Sequence, residues 1–69
     1  MYRIIKLNAN PPRYFHYIPM AEDEYIFIWE LDAIEATLFE SKTEALEKIW
    51  LCGLYYDLRT QNCIIEEIK

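Results

Sequence analysis

His16 is the only imidazole in the chain, and Cys52 and Cys63 are its only thiols. One imidazole cannot supply a His-pair zinc site, and the gap between the cysteines is neither a CxxC nor a zinc-finger spacing. A nucleophilic pair of His16 with either cysteine would need a thiolate, yet both thiols stand in apolar runs that favour the inert, protonated form. We read them as reduced, buried small hydrophobes of a cytoplasmic protein. A single bridge from the helix to the last strand is the alternative. Glu22-Asp23-Glu24 offers oxygen ligands, but three consecutive residues point in different directions and lack the glycine and spacing of a calcium loop. A solvated turn is expected there. No catalytic residue, metal or cofactor is implied by these side chains, and the chain does not read as an enzyme.

The remaining chemistry is that of recognition. Glu40, Glu44 and Glu47 recur at steps of four and three, which on a helix places neighbours about 5–6 Å apart, close to the phosphate spacing of a nucleic acid strand. With Glu35 and the 22–24 run they could present a negative surface to a basic groove. The plainer reading is a solvated helix face softened by a Glu44–Lys48 pair. Tyr55 and Tyr56, with Tyr14 and Tyr17, offer large contact area at low entropic cost and are candidate interface anchors. Their plainer reading is core and rim.

Charge narrows the partner. The formal net charge is −5, divided into +3 over residues 1–20 and −8 over residues 21–69. Such a chain is repelled by phosphate backbones, so direct nucleic-acid binding is not expected and a protein with a basic surface is. No apolar run approaches the ~20 residues of a membrane span, and the N-terminal residues read as a strand, not a signal peptide.

These residues must be positioned by a small set of elements. Ser41-Lys42-Thr43-Glu44 is a capping box: the Ser41 hydroxyl accepts from the Glu44 amide while the Glu44 carboxylate reaches back to the Ser41 amide. Leu38 or Phe39 can staple the first turn. Ala45, Leu46, Ile49, Trp50, Gly53 and Leu54 then form an apolar stripe, opposed by Glu40, Glu44, Glu47 and Lys48. Before the helix, Tyr2–Leu7 and Arg13–Ile18 read as strands separated by the Asn8–Pro12 break. Pro19–Glu24 reads as a loop, and Tyr25–Leu31 as the central strand. Asp32 could cap a helix, but the new start signal at Ser41 favours a turn and a short strand over residues 32–39. Tyr55–Asn62 ends regular structure, and Cys63–Ile68 is the last strand.

The sum is β-β-β-(β)-α-β. It predicts an α+β fold in one domain, residues 1–69, with an antiparallel sheet of three to five strands and one amphipathic helix on one face. A chain of 69 residues buries only about 60% of its unfolded surface. Its 54% hydrophobic and 16% aromatic composition supplies the apolar area that length does not. Eleven aromatic rings cannot all be hidden in so small a body, so some are expected at the surface, where they favour a partner or self-association.

Ala36-Thr37-Leu38-Phe39-Glu40-Ser41-Lys42-Thr43-Glu44-Ala45 resembles the A-x-x-F-x-S-x-x-E-A pattern of short acidic proteins encoded by phages and mobile elements. The pattern states how a strand enters a capped helix. Small acidic phage proteins of this kind include inhibitors of host defence, among them anti-CRISPR proteins. The resemblance therefore implies a stoichiometric inhibitor of a host defence or nucleic-acid-handling complex, active in the host cytoplasm, and it carries over no site residues. The alternative is a self-associating structural or regulatory accessory domain, a homodimer for example, with no inhibitory role. A third reading is a small-ligand binder with an aromatic pocket between helix and sheet.

Overall fold

A computed structural model describes residues 1–69. The runs rich in β-branched and aromatic residues become strands: β1 (Tyr2–Lys6), β2 (Arg13–Ala21), β3 (Glu24–Glu30) and, after the helical segment, β4 (Cys63–Glu67). All neighbours pair antiparallel in the order β3-β2-β1-β4. Side chains alternate between the two faces of such a sheet. Ile4, Phe15, Phe27, Trp29, Cys63 and Ile65 take the face that forms or borders the core. Their immediate neighbours in sequence take the other.

β1 and β2 share two register pairs, Ile5 with Tyr14 and Lys6 with Arg13, and then part. Thr37–Phe39 fills the fork. The Thr37 amide donates to the Phe15 carbonyl at 2.9 Å, the Thr37 hydroxyl accepts from the Tyr17 amide at 2.8 Å, and Phe39 exchanges two 2.8 Å bonds with Tyr2. This is the extended segment expected before the helix, reduced to a single bridge. Ahead of it lies a 3-10 turn, Ala33–Glu35, which Asp32 caps by accepting from the Ile34 amide at 3.1 Å.

The β2–β3 hairpin runs further than the sequence predicts, because residues 19–21 pair instead of looping. Pro19 permits this for a geometric reason. The Tyr17 amide points away from β3 toward Thr37, and the position two residues on points the same way, where β2 has no neighbour and no donor is needed. The turn contracts to Glu22–Asp23, with Asp23 at φ 61°, a left-handed conformation that Asp tolerates.

Helix α1 spans Lys42–Leu51. Its start is as expected: the Ser41 hydroxyl accepts from the Glu44 amide at 3.1 Å. The Glu44 carboxylate accepts from the Glu40 amide at 3.2 Å instead of that of Ser41, one residue earlier than the capping-box pattern. Its end was not legible as such. Gly53, at φ 71°, occupies the left-handed position of a Schellman motif. The Leu54 amide donates to Ile49 at 2.8 Å and the Gly53 amide to Trp50 at 3.2 Å, and Leu54 and Ile49 meet in the core. A short helix α2, Tyr55–Arg59, comes next, where no regular structure was expected.

The core is Ile4, Phe15, Phe39, Ala45, Ile49, Leu54 and Cys63. Phe15 is its hub, with ring centroids at 5.4 Å from Phe27, 5.8 Å from Trp29 and 6.4 Å from Phe39. Burial of each large apolar side chain contributes about 1.5–3 kcal/mol. Of the predicted stripe, Ala45, Ile49 and Leu54 are buried, Leu46 is half-buried, and Gly53 and Trp50 are exposed. Trp50 therefore does not lie under the helix. It sits about 100° around the helix from Ile49, and with fewer than three turns in α1 the sheet covers only the narrow line through Ala45 and Ile49.

Candidate protein-interaction site

The residues that leave the core gather where α1 ends. The Gly53 turn reverses the chain, and α2 begins at once, so the Tyr55 ring returns onto Trp50. The two rings stack with centroids 4.2 Å apart and planes 14° from parallel. Trp50 nevertheless stays 61% exposed, and Tyr56, which follows Tyr55 in the chain, 71%. A stacked pair at the surface is already ordered, so a partner that covers it meets a smaller entropic penalty. Trp and Tyr are also the residues that most often anchor interfaces.

A frame of aromatic contacts fixes this end of α1 to the β2–β3 hairpin. The Tyr25 hydroxyl donates to the Leu51 carbonyl at 3.0 Å. Tyr25 stacks on Tyr17 at 5.3 Å, and the Lys48 ammonium lies 4.1 Å from the Tyr17 ring centroid. Between hairpin and helix opens a cleft of about 320 Å³, walled by Tyr17, Pro19, Ala21, Tyr25 and Leu51 and edged by Asp23 and Glu24. Glu47 is exposed one turn before Leu51. The aromatic end thus carries acids near it, while its nearest lysine is engaged on a ring.

The acidic residues singled out in the sequence do not form one surface. Glu40, Glu44 and Glu47 are all exposed. Glu40, however, precedes the helix, and Glu44 is occupied in the cap. Lys48 faces Tyr17, so the expected Glu44–Lys48 pair does not form; the ion pair is Arg3–Glu66. Glu35 lies at the opposite side of the sheet, its carboxylate 3.8 Å from His16 Nδ1. Tyr55 and Tyr56 are exposed as expected of anchors. The sequence reading missed Trp50 and Leu51, and the signal that reveals them is Gly53, the sole glycine, which ends the helix and frees its last turn.

Other chemistry finds no assembly. Cys63 is in the core and Cys52 packs against it, whereas His16 belongs to the far face of the sheet, so the sheet separates imidazole from thiols. Burial raises both thiol pKa values; Asp57 adds to the rise at Cys63, while Lys48 opposes it at Cys52 and Lys6 at Cys63. No three His, Cys, Asp or Glu side chains converge on a common point. Beneath the helical segment, the space lined by Lys6, Trp29, Leu54 and Cys63 holds about 40 Å³, room for water but not for an organic ligand. No helix is long and apolar enough to cross a membrane.

Compared with protein-family models, curated proteins and solved structures, the chain matches none of them.

Proposed function

We propose that this chain is a stoichiometric protein-binding module whose contact surface is the end of α1: Trp50, Leu51, Tyr55 and Tyr56, with Glu47, Asp23 and Glu24 at its margin. The observation that carries the reading is the exposed Trp50–Tyr55 stack. A folded chain gains little stability from rings left in water, so their pre-ordered display is explained by a partner that desolvates them. The margin of acids favours an apolar pocket bordered by Lys and Arg. In that arrangement the rings supply dwell time and the carboxylates steer the encounter. An inhibitor of a larger host complex, the role that the phage-protein resemblance implies, would act by occupying such a pocket. The four-glutamate version of the interface, built on Glu35, Glu40, Glu44 and Glu47, is less favoured because Glu35 lies at the opposite side of the sheet and Glu44 is held in the helix cap.

The test is a paired capture from lysate of the native cells, with wild-type chain and a Trp50→Ala/Tyr55→Ala variant as baits, quantified by mass spectrometry. A protein retained by the wild type and lost from the variant is expected. Equal retention by both baits would contradict the assigned surface.

A further inference from the structure

The second face of the sheet, turned away from α1, carries no helix, and only the 3-10 turn touches it, where Glu35 reaches His16. An antiparallel sheet with one face in water ordinarily places polar residues there. Here the outward positions include Ile5, Ile18, Ile26, Ile28 and Ile64, with Tyr14 among them. Ile26 is 46% and Ile28 40% exposed. Ile5 is buried, yet it stands outside the core cluster. Its cross-strand partners are Tyr14 and Ile64, so these side chains form a second, open apolar layer.

We infer that this face is the contact surface of a symmetric dimer, and that its occupant is a second copy of the chain. Six of the twelve acids, Glu22, Asp23, Glu24, Glu44, Glu47 and Asp57, lie on the hairpin tip, α1 and α2. On the isoleucine face Arg3 is bonded to Glu66, with Nε to Oε1 at 2.7 Å, while Glu30, opposite Tyr14, and Glu35, beside His16, stand without a cationic partner.

The size of the face and that of the core argue for this occupant. Four strands about 4.8 Å apart, each rising about 3.3 Å per residue, make a face roughly 20 Å square. Two such corrugated faces bury on the order of 1,000 Å², the lower bound of a specific interface. Only 8 of the 69 residues are buried in the single chain, and chains this short commonly complete their core by association. Face-to-face packing at about 10 Å gives the layer order helix, sheet, sheet, helix, with the same patch used by both copies.

Sedimentation of the full chain over a range of concentrations tests this. The expected result is reversible dimerisation of the 8.4 kDa chain, weakened at least tenfold by Ile28→Glu and unchanged by Trp50→Ala, with circular dichroism spectra preserved. Sedimentation as a monomer at every concentration would overturn the proposal, as would a folded Ile28→Glu variant that dimerises like the wild type. Should that variant not fold, isotope-filtered NMR on an equimolar mixture of labelled and unlabelled wild type decides. Intermolecular contacts among the methyl groups of Ile18, Ile26 and Ile28 are expected. Contacts confined to Trp50 and Tyr55 would overturn it. The two surfaces lie on opposite sides of the sheet, so failure of this dimer and failure of the α1 interface read out separately.

Discussion

Trp50 and Ile49 are neighbours in sequence with opposite duties. Ile49 is fully buried, so Ile49→Ala should cost about 2–5 kcal/mol, measured by chemical denaturation. Trp50→Ala should shift stability by only about 0.5 kcal/mol, the usual range for a surface site. A large loss there would mean that the ring is part of the core after all. Cys63 makes a prediction in pH. Its thiol pKa is raised by burial above the ordinary 9.0, so the folded state holds the proton more tightly than the unfolded state does. That contribution is complete below the unfolded value and is lost as pH rises through the folded one. The melting temperature should therefore fall on raising the pH past 9.0, and Cys63→Ala should flatten this fall even though the cavity lowers stability at every pH.

At the scale of elements, what was legible was whatever a few adjacent residues decide. The Ser41 cap is an interaction over three residues, and Ser41→Ala should cost about 1 kcal/mol; an unchanged denaturation midpoint would deny the cap its role. Alternation over Tyr25–Leu31 gave β3, although it lies at the edge of the sheet and not at its centre, and the antiparallel α+β architecture came from the order of the runs. The helix end was not legible from the stripe, because Gly53 continues the 1-3-4 spacing while its backbone leaves the helix. Gly53→Ala meets no atom within 4 Å, so its expected cost of about 1–2 kcal/mol is that of forcing a side chain into the left-handed region. Equal stability would show that the turn relaxes. The fork between β1 and β2 was also beyond reach, since it depends on Thr37 bonding a strand twenty residues away. The candidate site suffered most from these two blind spots. Tyr55 and Tyr56 were readable as exposed rings, but Trp50 joins them only once the Gly53 turn is known, and the acids near them only once the hairpin tip meets the end of α1.

Across the whole molecule, two apolar surfaces lie on opposite sides of the sheet. Aromatic rings bordered by carboxylates mark the end of α1, and isoleucines mark the far face. The central claim is that the Trp50–Tyr55 stack anchors a protein partner while nearby acids steer it. Binding kinetics of the captured partner at two ionic strengths, for wild type, Trp50→Ala/Tyr55→Ala and Asp23→Asn/Glu24→Gln/Glu47→Gln, test it most directly. Screening acts within about 8 Å at physiological salt. The acid-depleted variant should therefore associate more slowly and with a flatter salt dependence, at a nearly unchanged dissociation rate. The ring-depleted variant should keep the wild-type salt dependence and dissociate at least tenfold faster. A wild-type dissociation rate in the absence of both rings would contradict the account.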